Sequence, residues 1–114
     1  MVIQESWCPR RGDIVWIEFD SARGHEQAGR RPALIVSPEL YNRRVGLALV
    51  CPVTSMEKGY PFEVRIPGNL PISGVILSDQ VKSIDWRERD VQHISRLPSY
   101  VLKKVLDKIA FLLS

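Results

Sequence analysis

Metal-binding and disulfide motifs are missing from this chain of 114 residues. Its two cysteines, Cys8 and Cys51, lie in no CxxC or Cys/His spacing that would hold zinc or cross-link a small domain. Cys51 stands in an apolar run and should be a small buried hydrophobe, whereas Cys8 should be a free thiol near a frayed end. We therefore expect no metal site, no cofactor and no disulfide framework.

Long apolar segments and a strong net charge are missing too. No stretch reaches the ~18 apolar residues that a membrane span needs, and the first residues do not form the apolar core of a signal peptide. The expectation is a cytoplasmic protein with no membrane partner. A formal net charge of +3 permits a polyanionic partner without requiring one.

The composition is that of one globular domain, which we expect to span residues 1–114. Hydrophobic residues make up 45% of the chain and charged residues 25%, which is enough to bury a core and too apolar for disorder. Short apolar runs bounded by turn residues predict strands, and the continuous run 33–36 predicts one that is buried on both faces. The predicted strands are 14–19, 33–36, 45–53, 60–66, 74–77, 81–86 and 91–94.

The end of the chain has a helical pattern instead. After Pro98, apolar residues recur at spacings of three and one while lysines and Asp107 occupy the other side, which predicts an amphipathic C-terminal helix. One more helical turn is predicted where Ser37 precedes Pro38, as an N-cap followed by proline at the first helical position. Many short strands with one closing helix indicate a mainly β fold, a small and strongly bent sheet or barrel.

Two polar connections between predicted strands are candidates for a functional site. The first runs from Asp20 to Arg31, twelve residues where a tight turn needs ~2–5, and the second covers 54–59. Long loops on a rigid scaffold often have a function, although a solvent-exposed charged turn fits the composition equally well. The charged and amide side chains near the end of the first loop are those of His25, Glu26, Gln27, Arg30 and Arg31.

These residue types suit the cleavage of RNA, whose own 2′-hydroxyl group is the nucleophile. Such a reaction needs a base, donors for the negative charge of the phosphorane and help for the leaving 5′-oxygen, but no metal ion. The planar fork of Arg31 would stabilise that charge, which is usually the largest catalytic contribution. Thr54 could donate a hydrogen bond to a phosphoryl oxygen. His25, Glu26 and Asp79 are all conceivable as the base, and the sequence does not choose between them.

Trp86 is the better of two tryptophan candidates for stacking on a nucleobase. It stands close to Arg87 and Arg89, whereas Trp16 stands inside a predicted strand. Both tryptophans fit core packing better than base stacking, because large aromatic side chains are mostly buried in folded domains.

Five segments, in order along the chain, resemble the MazF/PemK family of toxins. The resemblance runs from about Arg11 to the terminal helix, and although each motif alone is weak, five in the same order are specific. The segments are Gly12-Asp-Ile-Val-Trp16, Gly24-His-Glu-Gln-Ala-Gly-Arg-Arg-Pro32, Val50-Cys-Pro-Val-Thr-Ser55, Lys58-Gly-Tyr-Pro-Phe62 and Asp79-Gln-Val-Lys-Ser83.

The resemblance implies a homodimer of a small SH3-like barrel, of the kind shared by CcdB and MazF, that acts as the toxin of a type II toxin–antitoxin system. It implies cleavage of single-stranded RNA at short sequences without a metal ion, leaving 2′,3′-cyclic phosphate and 5′-hydroxyl ends and so inhibiting translation and growth. It also implies that Arg31 and Thr54 are catalytic and that a flexible acidic segment of an antitoxin covers the RNA groove. The implied RNA-binding residues are His25, Glu26, Gln27, Lys58, Asp79 and Gln80.

The sequence combines features of two branches of this family. Leu77 replaces the arginine of an Arg-x-Asp pair found in the PemK branch, whereas His25 matches the loop histidine of that branch. Leu77 and the run 79–83 favour the MazF branch, which relies on the arginine and the threonine, so His25 stays a secondary candidate. A CcdB-like gyrase poison and a non-catalytic RNA-binding module are the alternatives, and a gyrase-binding surface would not require Arg31 with Thr54.

Overall fold

The computed structural model describes residues 7–19 and 29–114, which form strands and two helices. The elements in chain order are β1 (Asp13–Phe19), β2 (Gly29–Ile35), α1 (Glu39–Val45), β3 (Ala48–Thr54), β4 (Glu63–Arg65), β5 (Val75–Leu77), β6 (Lys82–Ile84), β7 (Gln92–Arg96) and α2 (Ser99–Leu112). This order confirms the mainly β fold with a C-terminal helix that the sequence predicts.

β3 lies inside the sheet and changes its partner along its length. One edge of β3 pairs with β2, while the other pairs with β6 over 48–50 and with β5 at Val53 and Thr54. The strand order is β4-β5-β3-β2-β1-β7, with antiparallel pairing throughout the described strands. The sheet is therefore strongly bent, but its path stays open between β4 and β7 in the described part of the chain. The fold is barrel-like without being a closed barrel.

Alternate side chains of the strands contribute to two apolar clusters, one on each face of the sheet. In β2, Leu34 points into one cluster and Ala33 and Ile35 point into the other, so this strand is buried on both faces as predicted. The helix-side cluster includes Ile14, Leu34, Cys51, Val53, Ile76, Val101 and Val105. The far-side cluster contains Cys8, Val15, Ile17, Phe19, Ala33, Ile35, Ala48, Val50, Ile84 and Trp86.

α2 closes the helix-side cluster and has the amphipathic pattern expected of it. Val101 and Val105 are buried, and Leu102, Leu106 and Ile109 pack against the same cluster. Its last apolar residues are exposed, with Phe111 at 68% and Leu113, just after the helix, at 83%. In the part of the chain that the structure describes, neither helix has the length and apolarity that a bilayer span requires.

Three local predictions are wrong around α1 and at Cys8. Pro38, not Ser37, occupies the N-cap position of α1, and the Ser37 hydroxyl lies 2.5 Å from Oδ1 of buried Asn42. Val45 belongs to α1 because Gly46, with φ +81°, ends the helix in the left-handed conformation, so β3 begins later than expected. Cys8 is only 4% exposed and packs in the far-side cluster, so it is not a frayed thiol.

Cys51 is a free, buried cysteine, as the apolar run predicts. Burial, together with the negative charge of Asp79, raises the pKa of the Cys51 thiol to about 12. This thiol is therefore protonated at neutral pH and packs as a small hydrophobic group.

Candidate active site

Arg31 lies inside a strand rather than at the end of a loop. Residues 29–31 already belong to β2, where Arg31 pairs with Ile17 of β1 and Arg30 with Glu18. The prediction of a twelve-residue loop ending in Arg31 is therefore wrong at its C-terminal end. His25, Glu26 and Gln27 lie outside the described residues.

The pairing of β2 with β3 stops just before the two residues expected to be catalytic. Hydrogen-bonded pairs alternate along an antiparallel ladder, and the N–H of Val36 donates to the carbonyl of Leu49 over 2.9 Å. The same register makes Pro32 and Val53 the next position at which two hydrogen bonds would be exchanged. Pro32 has no N–H group to donate, and the pairing ends at Ala33 and Pro52.

Arg31 and Thr54 occupy the next facing positions of this register. Ala33 faces Pro52, so two further residues along each strand place Arg31 opposite Thr54. Both positions fall on the face of the far-side cluster, because Arg31 alternates with Ala33 and pairs with Ile17. The two side chains therefore lie on the far-side face, just beyond the point where the pairing of β2 with β3 ends.

Thr54 is held firmly at the end of β3. Its side chain is 7% exposed, and its Oγ1 accepts a hydrogen bond of 3.2 Å from the backbone N–H of Met56. Because Oγ1 is an acceptor in that bond, the hydroxyl proton can be donated elsewhere. Gly74 has φ +123°, and a Cβ atom there would collide with the carbonyl oxygen of Thr54. The absence of a side chain at Gly74 thus allows the close approach that fixes Thr54.

Lys82 is a second cation on the same face, and the sequence analysis did not single it out. It pairs with Val50, and its Nζ lies 5.7 Å from the centroid of the Phe19 ring. Phe19 is the last residue of β1 and stands two residues from Ile17, the partner of Arg31. Lys82 lies in the matching segment 79–83, but only the pairing of β6 shows which face it occupies.

Asp79 is held by a neighbouring tyrosine. The Tyr60 hydroxyl donates a hydrogen bond of 2.7 Å to Oδ1 of Asp79. Burial, the hydrogen bond to Asp79 and the charges of Asp79 and Glu63 raise the pKa of Tyr60 to about 12, so its phenol remains a donor at neutral pH. The Ser78 hydroxyl also donates to the carbonyl of Phe62. The turn that contains Asp79 is thus joined to the segment that contains Lys58.

The backbone around Lys58 is ordered by one carboxylate. The N–H groups of Lys58 and Gly59 both donate to Glu63, with 2.7 Å between the Gly59 nitrogen and Oε1. Lys58 itself is exposed. Its charge is therefore presented to solvent from a fixed backbone, which is the arrangement that a phosphate-binding lysine requires.

Gln80 contributes a buried acceptor. Its Oε1 is inaccessible to solvent and has no hydrogen-bond partner among the described residues. The predicted site residues that are described thus form two groups. In the first group, Arg31 and Thr54 occupy opposite positions in the register of β2 and β3. In the second group, Lys58, Asp79 and Gln80 lie on two turns, which the hydrogen bonds of Tyr60 and Ser78 connect. The short segment 55–57 runs directly from Thr54 to Lys58 and joins the two groups.

Comparison with known proteins assigns the chain to a family. A family model described as "PemK-like, MazF-like toxin of type II toxin-antitoxin system" matches residues 10–113. The chain belongs to this toxin family. It is 51% identical over 83 residues to the endoribonuclease toxin MazF of Escherichia coli K12, covering 73% of this chain and 74% of that protein.

Solved structures agree with the family. MazF from Deinococcus radiodurans matches with a TM-score of 0.90 and 48% identity, covering 95% of this chain and 98% of the other. A MazE–MazF complex from the same organism matches with a TM-score of 0.84 and 44% identity, covering 95% and 97%. These relatives confirm the MazF-type fold and the prediction that the chain is an endoribonuclease toxin, and they support neither a gyrase poison nor a non-catalytic module.

Proposed function

We propose that this endoribonuclease toxin cuts single-stranded RNA at short sequences without a metal ion and leaves 2′,3′-cyclic phosphate and 5′-hydroxyl ends. The 2′-hydroxyl group adjacent to the scissile phosphate loses its proton and attacks the phosphorus. The bond to the 5′-oxygen then breaks, and that oxygen receives a proton. The facing positions of Arg31 and Thr54 at the open end of the far-side cluster are the observation on which this proposal rests.

Arg31 is proposed to stabilise the negative charge that develops on the phosphoryl oxygens. Its guanidinium group offers parallel donors that match two oxygens of one phosphate. The strand pairing of Arg31 with Ile17 fixes the backbone from which this side chain extends. A donor held in place before the reaction needs no reorganisation when the charge appears.

Thr54 is proposed to donate its hydroxyl proton to the same phosphoryl group. The hydrogen bond from the N–H of Met56 orients Oγ1 and leaves the proton available. Because the side chain is largely buried, little water competes for that proton, and a hydrogen bond formed there is stronger than one in bulk solvent.

The second group of residues is proposed to bind the nucleotides next to the scissile phosphate. Lys58 would contact a phosphate, and Asp79 would accept hydrogen bonds from base amino groups. Gln80 would contact a base after its side chain turns to expose the buried Oε1. His25, Glu26 and Gln27 are proposed to complete the groove. The proton acceptor for the 2′-hydroxyl is one of His25, Glu26 and Asp79.

We also propose that the chain forms a homodimer and binds a cognate antitoxin. Exposed apolar side chains, Phe111 and Leu113 among them, offer a surface that a second copy can bury. The MazE–MazF complex of Deinococcus radiodurans shows a related toxin with its antitoxin. A flexible acidic antitoxin segment would compete with RNA for Arg31, Lys58 and Lys82. Because the proposed substrate is messenger RNA, the proposed site of action is the cytoplasm.

Cleavage of a mixed RNA substrate in EDTA tests the reaction directly. We expect site-selective cuts, 5′-hydroxyl ends that a kinase can label without prior phosphatase, and 3′ ends that resist ligation until the cyclic phosphate is opened and removed to leave a free 3′-hydroxyl. Arg31→Ala should abolish the cuts. Absence of selective cleavage, or cleavage that Arg31→Ala leaves unchanged, would overturn the proposal.

A further inference from the structure

A cavity beside the connection between β6 and β7 takes no part in the reaction described above. It has a volume of about 350 Å³ and is lined by Trp7, Trp86, Arg87, Asp90 and Val91. This volume is near the lower limit of ~300–1,000 Å³ for small-ligand pockets, so the cavity suits a single ring system rather than a long segment.

Two tryptophans form an aromatic corner in this cavity. The rings of Trp7 and Trp86 meet edge to face, with centroids 6.5 Å apart and an interplanar angle of 82°. Trp86 is 8% exposed and donates its indole N–H to the carbonyl of Asn42, so it is a fixed core residue. Trp7 is 42% exposed and therefore retains accessible ring surface. An aromatic ligand could stack on this surface, since stacking on aromatic side chains is how proteins commonly hold unpaired bases.

Asp90 is the acceptor of the cavity and has an unusual backbone conformation. Among the described residues other than glycine, it alone has a positive φ, +50°. Its carboxylate is 82% exposed, and the nearest guanidinium nitrogen of Arg30 lies 3.8 Å away. Arg30 also donates to the backbone carbonyl of Asp90 and to Gln92. The carboxylate can therefore turn toward a ligand while Arg30 remains held.

The charges of the cavity favour one class of ligand. The guanidinium carbon of Arg87 lies 4.8 Å from the centroid of the Trp86 ring, which disfavours a cationic ligand. Asp90 disfavours a phosphate group inside the cavity. A neutral ring with hydrogen-bond donors on one edge satisfies both constraints, and its phosphate could remain outside near Arg87 and Arg30. Among the RNA bases, guanine presents two adjacent N–H donors, N1–H and N2–H, that match the two oxygens of one carboxylate.

The cavity is connected to the two strands that carry Arg31 and its pairing partner Ile17. Asp90 contacts the side chain of Arg30, whose Cα is about 3.8 Å from that of Arg31. Arg89 also donates to the carbonyl of Glu18, which ties the connection to the strand that pairs with β2. A bound RNA strand that continues from Arg31 across β1 could place one of its bases in the cavity.

We propose that Trp7, Trp86 and Asp90 form a binding site for a guanine base of the RNA that flanks the cleaved bond. This inference rests on the proposed function for its biological role, but binding of guanine can be measured without cleavage. The base stacks on Trp7, and the Asp90 carboxylate accepts hydrogen bonds from N1–H and N2–H.

A titration of the full chain with mononucleotides tests the site. The indole N–H resonances of the three tryptophans are followed by NMR while guanosine, inosine, adenosine, cytidine and uridine monophosphates are added. We expect guanosine monophosphate to shift the resonances of Trp7 and Trp86. Trp16, which lies on β1 and does not line the cavity, is the internal control. Inosine monophosphate lacks the N2 amino group and should bind roughly tenfold more weakly, the loss of one hydrogen bond to a charged acceptor.

Two variants separate recognition from folding. Asn readily adopts positive φ, so Asp90→Asn should fold normally. Its amide N–H₂ group would oppose the N–H donors of guanine. The preference for guanosine monophosphate over inosine monophosphate should therefore disappear. Trp7→Ala should remove binding, while Trp16→Phe should retain it. Equal shifts with all five nucleotides, no shift with guanosine monophosphate, or unchanged selectivity in Asp90→Asn would each overturn the inference.

Two additions to this experiment separate the guanine site from a site for a protein ligand, and separate failure of the site from failure of the proposed function. N-acetyltryptophanamide mimics an aromatic side chain of a partner protein, and shifts with this probe but not with guanosine monophosphate would overturn the guanine site. An RNA cleavage assay on the same preparation reports the enzymatic function separately. Guanine binding without cleavage would refute the function, and cleavage without guanine binding would refute only the site.

Discussion

The register of β2 on β3 places Arg31 opposite Thr54, two residues beyond the last paired residues of these strands, Ala33 and Pro52. The pairing ends here, at the position where Pro32 cannot donate the next hydrogen bond of the ladder. One proline thus ends the pairing at the place where a guanidinium and a hydroxyl group are brought to the same face.

The close approach of Gly74 to Thr54 predicts that substitution of Gly74 lowers both stability and cleavage rate, although Gly74 is not proposed to contact RNA. In Gly74→Ala, the new Cβ would collide with the Thr54 carbonyl, and φ +123° would strain any side chain. We expect at least about 1 kcal/mol of destabilisation, measured by urea unfolding, together with slower cleavage. Gly68→Ala is the matched control, because a Cβ at Gly68 meets no atom within 4 Å. Equal stability of the two variants would contradict this role of Gly74.

The Tyr60–Asp79 hydrogen bond predicts a pH dependence of stability at alkaline pH. The folded chain raises the pKa of Tyr60 from 10.0 to about 12, through burial and then the hydrogen bond to Asp79. Between pH 10 and pH 12 the unfolded chain loses this proton and the folded chain keeps it, so the contribution of Tyr60 to the free energy of unfolding falls as the pH rises.

Unfolding curves of the wild type and Tyr60→Phe at several pH values check this prediction. The raised pKa of Cys51 also contributes to the slope in this range, but it is present in both proteins and cancels in the difference. The stability advantage of the wild type over Tyr60→Phe should therefore shrink above pH 10. An advantage that stays constant from pH 8 to pH 12 would show that the phenol is not held in this way.

Lys82 predicts a change in the salt dependence of RNA binding. If its ammonium group neutralises one phosphate, Lys82→Met should weaken binding about equally for all sequences and reduce the slope of log K against log salt by about 1. Methionine keeps the length of the side chain and its packing on Phe19. Lys103→Met is the control, because Lys103 lies on α2 and pairs with Asp107 within the helix. An unchanged slope in Lys82→Met would exclude a phosphate contact.

The sequence predicts the strands and the terminal helix, because apolar periodicity determines them, and its motifs supply most of the residues of the candidate site. It fails where tertiary pairing decides. Residues 29–31 look like loop but become strand by pairing with β1, and Cys8 is buried by distant parts of the chain. The sequence could not place Lys82 beside Phe19, because the far-side position of Lys82 follows from the pairing of β6 with the first half of β3.

The central claim is that Arg31 and Thr54 act on one phosphoryl group, and a double-mutant cycle tests it most directly. The single-turnover rate of RNA cleavage is measured for the wild type, Arg31→Lys, Thr54→Val and the double variant. Each single change should slow cleavage by roughly 10²–10³-fold, as the loss of one oxyanion donor does. The double variant should be slower than either single variant but faster than the product of the two losses predicts, because the residues share one partner. A wild-type rate in Thr54→Val, or losses that multiply without coupling, would contradict the account.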